Sequence, residues 1–227
     1  MVIAAIMAAG RGSRAGAEIP KQYLSLGGVP MLHRAAKSFL RCPQVDAVVV
    51  LCPPAWTGET WEMFADEPAA TVLAGGDTRT KTLEIAVRYW QDNFGGAEDI
   101  LLTHDAARPF VSESIIAENI AAARKHGACG TYIPCADSLI RGGGGFVTEP
   151  LERGGVYLAQ TPQSFRAVEL AEALAGLTPT QKSALTDACG AFALLRRPIA
   201  IVDGESLNFK ITSPEDIRLA ELIAKSL

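Results

Sequence analysis

The sequence predicts an α/β fold in which a Rossmann-like, mostly parallel sheet carries helices on both faces. Short runs rich in Val, Ile and Leu recur along the chain, and they are continuous rather than alternating, as in strands buried on both faces. Segments with helical spacing separate these runs, and such alternation is typical of a parallel sheet. The strands are predicted at residues 2–7, 45–52, 71–74, 100–104, 130–134 and 198–202.

Three helices are predicted from their spacing or their end signals. Apolar residues share one helical face within residues 83–94, and others do so within residues 116–123. The last helix is marked by Ser213, which can cap it, by Pro214 at the first helical position, and by the two acidic residues that follow. These helices lie between or after predicted strands, as the fold class requires.

The alternation breaks between residues 131 and 165, where two strand-like pieces are separated by four glycines, Gly142 to Gly145. Glycine tolerates the positive φ angles of tight hairpin turns. We therefore predict a β-hairpin arm that projects from the sheet at about residues 134–156. A flexible surface loop is the alternative, and the spacing alone does not decide between them.

The composition predicts one folded domain over residues 1–227. The chain is 48% hydrophobic and 20% charged, which is typical of a globular protein long enough to bury a sizeable core. The net charge of −4 argues against a surface adapted to nucleic acid, since such a surface needs a basic excess. A site for an anion must therefore be local.

The cysteines and the first residues predict a cytoplasmic protein. Five cysteines are scattered without a CxxC pair, so a disulfide framework or a zinc site is not expected. The apolar run from Met1 to Ala9 is too short to span a bilayer and lacks the layout of a signal peptide. We expect no membrane association.

The first strand runs into Gly10-x-Gly12, where backbone amides at the carboxyl edge of a sheet can bind phosphate. The match to a dinucleotide fingerprint is weak, because Pro20 interrupts the required helix and the second strand ends in "LCPP" without an acidic residue. Arg14 and Lys21 instead suit a longer anion. The pattern predicts a triphosphate whose charge is shared with a metal ion.

A second cluster begins at Asp105, which directly follows a buried strand and so lies at the same edge of the sheet. One carboxylate together with substrate phosphates can hold magnesium, a metal that keeps several waters. The alternative is that Asp105 caps the helix predicted to start near Ser112. His104 beside it is expected to pack or to bond the backbone.

Two further stretches carry candidate side chains. Asp77, Arg79 and Thr82 follow another strand and could contact a base or a ribose, although an ordinary glycine turn with a helix cap gives the same pattern. Lys210 comes just before the last helix, with Asn208 beside it, and a lone lysine there is commonly solvated.

Taken together, the motifs resemble one family. "AAGRGSRAGAEIPKQYL", "GGDTR", "HDAARP", "TPQSF", the "TD" at residues 186–187 and "NFKITSPEDIRLAE" follow the order found in the 2-C-methyl-D-erythritol 4-phosphate cytidylyltransferases of the non-mevalonate isoprenoid pathway. The resemblance covers nearly the whole chain. Its first motif indicates only the nucleotidyltransferase superfamily, whereas "PKQY" with "HDAARP" and the "NxKIT" tail is more specific.

The resemblance implies transfer of CMP from CTP to methylerythritol phosphate, with magnesium or another divalent cation required. The attacking phosphate oxygen is already anionic, so no general base is needed, and cations around the α-phosphate are. The implied catalytic residues are Arg14, Lys21, Arg153 and Lys210. Those implied for CTP are Ala8, Ala9, Gly10, Gly12, Asp77, Thr82 and Ala106. Those implied for the acceptor are Asp105, Arg108, Ser138 and Thr186, and Asp105 is also the implied metal ligand.

The resemblance also implies a homodimer in which the arm crosses to the partner and supplies Arg153 in trans. Three positions depart from the family pattern: Thr82 stands for the usual serine, Ser138 stands in an arm that lacks the usual lysine, and Ala188 stands for a glutamate. These departures concern the substrate pocket.

Three alternatives stay open. One is a cytidylyltransferase of the same family that acts on another polyol phosphate, such as ribitol 5-phosphate. The second is a dinucleotide-dependent oxidoreductase, which the proline at position 20 disfavours. The third is a domain that binds a nucleotide without catalysis, for example one half of a bifunctional enzyme.

Overall fold

The computed structural model describes residues 1–10 and 19–226, so the predicted site residues Gly12 and Arg14 lie outside the described residues. The strands and helices in chain order are β1 (Val2–Met7), β2 (Ser25–Leu26), β3 (Val29–Pro30), α1 (Met31–Leu40), β4 (Ala47–Cys52), α2 (Thr57–Met63), β5 (Ala70–Ala74), α3 (Arg79–Asn93), β6 (Ile100–Asp105), α4 (Glu113–His126), β7 (Ala128–Pro134), β8 (Leu139–Gly143), β9 (Phe146–Leu151), β10 (Tyr157–Arg166), α5 (Ala167–Gly176), α6 (Pro179–Ser183), α7 (Cys189–Leu194), β11 (Ala200–Asp203) and α8 (Pro214–Ser226). Short 3₁₀ turns occupy Lys21–Tyr23, Pro54–Trp56 and Ser206–Asn208.

Seven strands form the central sheet in the order β11-β7-β10-β6-β1-β4-β5. The chain moves outward from β1 through β4 to β5 and then returns to the other side of β1 as β6. The pairs β1–β4, β1–β6, β4–β5 and β7–β11 are parallel. The predicted mostly parallel sheet is confirmed, and all six predicted strands are present with ends that differ by at most two residues.

The seventh strand, β10, is antiparallel to both β6 and β7 and was not among the predicted strands. Its apolar pattern is broken by polar side chains that are nevertheless buried. Gln163 accepts hydrogen bonds from the backbone N–H groups of Ala188 and Cys189, and Ser164 donates one to Asn119. A strand whose buried side chains are hydrogen-bonded in this way lacks the continuous apolar run that predicts a central strand.

Helices cover both faces of the sheet, as predicted. On one face α1 packs against β1 and β4, and α4 packs against β6, β7, β10 and β11, with Phe39, Ile116 and Ile120 fully buried. On the other face α3, α5 and α7 pack against the sheet. The apolar face predicted for α3 is buried there together with Phe165 and Phe192. Within residues 1–10 and 19–226, the helices are either too short or too polar to cross a membrane.

A third, smaller cluster joins the two ends of the chain. Leu26 and Met31, next to the β2–β3 hairpin, pack against Ala107, Ile211 and α8. The hairpin turn brings the Gly27 amide to a hydrogen bond with Glu221 of α8, and the Ala224 Cβ would lie 3.2 Å from a Cβ at Gly27. This cluster fixes the segment after Lys21 and the segment around Lys210 in one unit.

The predicted β-hairpin is present as β8 and β9, which form a two-stranded sheet apart from the central sheet. Leu139 pairs with Leu151 at its base, and Gly144 and Gly145 form its tip with φ angles of 59° and 86°. Two consecutive positive φ angles are what a two-residue hairpin turn demands, and glycine adopts them without strain.

Candidate active site

A cleft of about 820 Å³ opens where the carboxyl ends of β1, β4, β5 and β6 meet. This position, where the strand order reverses beside β1, is where open α/β sheets bind their ligands. Nine of the predicted site residues line it: Ala8, Ala9, Gly10, Lys21, Asp77, Thr82, Asp105, Ala106 and Lys210.

The backbone after β1 forms the first wall of the cleft. The Ala8 N–H extends the sheet by a 2.8 Å hydrogen bond to Leu51 O, and Ala9 and Gly10 then leave the sheet. Gly75, at the end of β5, approaches so closely that a Cβ there would lie 2.4 Å from the Ala9 Cβ. The wall is therefore built by a close contact that only glycine permits.

Lys21 lies in a short turn that is held on two sides. Its ammonium donates a 2.8 Å hydrogen bond to Ile211 O, in the segment that carries Lys210. Two residues later, the Tyr23 ring stacks on Trp56 at 4.5 Å and its hydroxyl bonds Thr60. The turn thus connects the N-terminal and C-terminal parts of the cleft.

Asp105 is the centre of the charged cluster. Its two carboxylate oxygens form ion pairs with Arg79 at 2.7 Å and with Lys210 at 2.8 Å, while the Asp105 side chain is 8% exposed. Burial alone would raise the pKa of Asp105, but the two cations outweigh it and hold that pKa well below the usual range. The alternative role for Asp105, capping α4, is wrong, because Ser112 is the capping residue.

His104 bonds two groups beside Asp105, and it forms no ion pair among the described residues. Its Nε2 lies 3.0 Å from Arg108 O, and because a carbonyl only accepts, Nε2 carries the proton. Its Nδ1 therefore accepts from the Thr161 hydroxyl, which in turn accepts from the Asp105 N–H. Burial lowers the pKa of His104 to about 4, so the ring is neutral at pH 7. The predicted packing role fits this geometry.

The turn before α3 lines the cleft with Asp77, Thr78 and Thr82. Thr78 caps α3 by accepting from Lys81 N, and the buried Thr82 hydroxyl accepts from Gly76 N and donates to Thr78 O. The glycine turn with a helix cap is thus present, and the Thr82 hydroxyl is already engaged within it.

Four predicted residues do not line this cleft. Arg108 is buried and donates to the carbonyls of Asn208 and Ala159. Ser138 and Arg153 are exposed at the base of the arm, where Arg153 donates to Ala136 O, and Thr186 is exposed before α7. Their roles at the acceptor stay predictions.

Two residues at the cleft have contacts that the sequence does not reveal. Arg79 pairs with Asp105, although the two are 26 positions apart in the sequence. Gln22 is 3% exposed and donates to the carbonyls of Ala8 and Gly10. The sequence signal for Gln22 is its place in the "PKQY" motif, which gives it no role of its own.

The predicted magnesium site uses a single carboxylate, Asp105, together with substrate phosphates. No group of three His, Cys, Asp or Glu side chains in the described part of the chain is arranged to hold an ion. Asp105 pairs with Arg79 and with Lys210 through its two carboxylate oxygens. Its role as a magnesium ligand stays a prediction.

The chain is similar to several known proteins over nearly its whole length. A ribitol-5-phosphate cytidylyltransferase from Lactiplantibacillus plantarum is 36% identical over 230 residues, which cover 99% of each chain. A solved 4-diphosphocytidyl-2C-methyl-D-erythritol synthase is 30% identical, with a TM-score of 0.84 and coverage of 98% of this chain and 97% of that one. The 2-C-methyl-D-erythritol 4-phosphate cytidylyltransferase of Thermus thermophilus is 31% identical, with a TM-score of 0.77 and coverage of 99% and 98%.

The family model for 2-C-methyl-D-erythritol 4-phosphate cytidylyltransferase (IspD) matches residues 2–226, which is almost the entire sequence. The predicted resemblance is thereby confirmed. The chain belongs to the IspD family of cytidylyltransferases.

Proposed function

We propose that this protein transfers CMP from CTP to 2-C-methyl-D-erythritol 4-phosphate, which gives 4-diphosphocytidyl-2-C-methyl-D-erythritol and pyrophosphate. The observation that carries the transfer of CMP is the convergence of Lys21, Arg79 and Lys210 with the Ala8–Gly10 backbone at one edge of the sheet. These groups provide positive charge and backbone N–H donors at the place where a triphosphate must bind in this fold. The match of residues 2–226 to the family model supports the choice of 2-C-methyl-D-erythritol 4-phosphate as acceptor.

The reaction needs positioning and charge neutralisation rather than proton transfer. The acceptor phosphate oxygen attacks the α-phosphorus of CTP and pyrophosphate leaves, so no base has to activate the nucleophile. Bound magnesium shares the negative charge of the triphosphate and belongs to the MgCTP substrate. His104, the histidine beside the cluster, is enclosed and neutral, which agrees with a site that requires no base.

The chain's own residues divide the remaining work. The Ala9 and Gly10 backbone faces the triphosphate, and Lys21 stabilises the charge that develops on the α-phosphate. Lys210 and Arg79 are held in the cleft by Asp105, which keeps two cations close together that would otherwise repel each other. Lys210 is then placed to orient the incoming phosphate.

Ribitol 5-phosphate is the second candidate acceptor. The Lactiplantibacillus plantarum relative, named for that substrate, is 36% identical over nearly the full length of both chains. Both acceptors are polyol phosphates and present the same anionic nucleophile, so the cleft described above serves either one.

An assay with both acceptors tests the proposal. Purified protein with CTP and magnesium should release pyrophosphate with methylerythritol phosphate at a kcat/KM well above that with ribitol 5-phosphate. A preference for ribitol 5-phosphate would move the assignment to the second candidate. Absence of pyrophosphate release with both acceptors, despite CTP binding, would leave only a nucleotide-binding role.

We also propose that the arm pairs with a second copy of the chain and that Arg153 completes the partner's site. The arm exposes Ile140, Phe146 and Val147, and Phe146 is 79% exposed in the single chain. Exposed apolar clusters of this kind are typical of protein interfaces. Arg153 does not line the cleft of its own chain, which supports a role across the dimer.

A further inference from the structure

The side-chain amide of Gln22 bonds the backbone of the cleft wall at two points. Its Nε2 donates to Ala8 O at 2.6 Å and to Gly10 O at 3.0 Å. The side chain is buried although glutamine is mostly found exposed, and both of its donor hydrogens are used on this one segment.

These bonds set the direction of the neighbouring N–H. In a trans peptide the carbonyl of Ala8 and the N–H of Ala9 point in opposite directions, so a carbonyl held by Gln22 turns the Ala9 N–H away from Gln22. Across the described ranges 1–10 and 19–226, the N–H groups of Ala9 and Gly10 have no hydrogen-bond partner. Both residues line the cleft, so their donors are free for an anion there.

The backbone of Gln22 is also held in place. It is the middle residue of the turn Lys21–Tyr23, in which Tyr23 N bonds Pro20 O and Leu24 N bonds Lys21 O. Tyr23 stacks on Trp56 just before α2, and its hydroxyl bonds Thr60 within α2, which holds this turn in place. A single side chain therefore ties the backbone of the cleft wall to the turn that carries Lys21.

We propose that Gln22 is a positioning residue for nucleotidyl transfer, which holds the Ala8–Gly10 backbone in the conformation that binds the triphosphate. The inference rests on the proposed function, since it assigns the triphosphate to this wall. Both donor hydrogens of Gln22 bond backbone carbonyls, so we place its action in the peptide groups that it orients.

Two variants test this role. Gln22→Met keeps the volume of the side chain and removes the donor, whereas Gln22→Glu puts carboxylate oxygens against two carbonyl oxygens. We expect Gln22→Met to lower kcat about 10- to 100-fold, because misplaced binding groups cost this much. Its affinity for MgCTP should fall, while KM for the acceptor should stay within about 3-fold, because a mutation acts on the interaction that it removes. Gln22→Glu should be worse than Gln22→Met in both kcat and MgCTP affinity.

Asp99→Asn is the control for lost stability. Asp99 accepts hydrogen bonds from Trp90 and Gly96 at the opposite end of β6 from Asp105. If Gln22 only stabilised the fold, an Asp99 variant with the same loss of melting temperature would show the same kinetic change. We expect wild-type kcat and KM for Asp99→Asn at temperatures where it is folded.

Calorimetric titration with MgCTP separates this inference from the proposed function. If the wild-type protein binds MgCTP but turns over no acceptor, the proposed function fails, and the affinities of the Gln22 variants still test the inference. A folded Gln22→Met variant with wild-type kcat and wild-type MgCTP affinity would overturn it. A uniform rise of both substrates' KM would also overturn it, because that result indicates general loosening of the protein.

Discussion

His104 is a buried titratable residue, and the hydrogen bonds around its ring require the neutral form. Its ring lies 4.9 Å from the Phe39 ring and bridges Arg108 O and the Thr161 hydroxyl. A charged ring would lose the acceptor at Nδ1 that Thr161 needs. The folded protein therefore resists protonation of His104, and this resistance makes stability depend on pH.

The sign of that dependence follows from the two pKa values. The unfolded chain protonates His104 below pH 6.5, whereas the folded protein protonates it only below about 4. Between these values the unfolded state binds more protons, so stability rises with pH. We expect His104 to lower the free energy of unfolding by about 3 kcal/mol as the pH falls from 7 to 4.

Urea denaturation at several pH values, on the wild type and on His104→Gln, checks this expectation. The variant lacks the titrating group, so its free energy of unfolding should fall less steeply between pH 6.5 and 4. Parallel profiles for the two proteins would show that His104 does not carry this dependence.

Single residues of the site differed in how well they could be predicted. Asp105 and Lys21 were found because each follows a recognisable signal, the end of a buried strand or a proline after a glycine loop. The ion pair of Arg79 with Asp105 could not be found, since it depends on how the strand order brings β5 and β6 to either side of β1 and β4. Local sequence does not carry such distances.

At the scale of strands and helices, the contact between the residues that follow β1 and β5 shapes the cleft. Gly75 follows β5 and its N–H bonds Cys52 O at 2.7 Å. A side chain at Gly75 would meet the Ala9 Cβ at 2.4 Å and the Thr82 side chain at 3.3 Å. The cleft wall would have to move outward to accept even one methyl group.

Gly75→Ala should therefore weaken MgCTP binding about 10-fold or more, because a displacement of about 1 Å is costly for positioned groups. Gly58→Ala is the matched control, since Gly58 lies within α2 and a Cβ there meets no atom within 4 Å. The control should bind MgCTP normally and gain stability, because alanine is the better helix former. Equal MgCTP affinities for the two variants, measured by calorimetry, would contradict the role assigned to Gly75.

At this scale the periodicity of the sequence predicted most of the fold. The six predicted strands and the apolar faces of α3 and α4 are present because each buries a continuous surface. Strand β10 escaped prediction because its buried Gln163 and Ser164 are satisfied by partners on α7 and α4. Their burial becomes favourable only after those helices are in place.

At the scale of the whole molecule, we expect the arm to contact a second copy of the chain. Its exposed apolar side chains and its Arg153 lie outside the cleft of the same chain, and the Arg153 side chain bonds only Ala136 O among the described hydrogen bonds. In the proposed two-fold dimer each arm lies on the other chain, so that one site combines Lys21 of one protomer with Arg153 of its partner.

Mixing of two inactive variants tests this arrangement. Lys21→Ala should lower kcat by about two to three orders of magnitude, which is the loss seen when one preorganised stabilising donor is removed, and we expect Arg153→Ala to be similarly impaired. If Arg153 acts in trans, a mixed dimer has one intact site. A statistical 1:1 mixture should then recover about a quarter of the wild-type activity, because half of the dimers are mixed and each has one working site of two.

The double variant Lys21→Ala/Arg153→Ala provides the control for this experiment. Mixed with an equal amount of wild type, it removes Arg153 from the remaining Lys21 site in every mixed dimer if the arm crosses. Activity should then fall to about a quarter of that of undiluted wild type, whereas an arm that serves its own chain would leave about half. Native mass spectrometry establishes that mixed dimers form. No recovery in the first mixture together with half activity in the second would place Arg153 in cis and remove the arm from the partner's site.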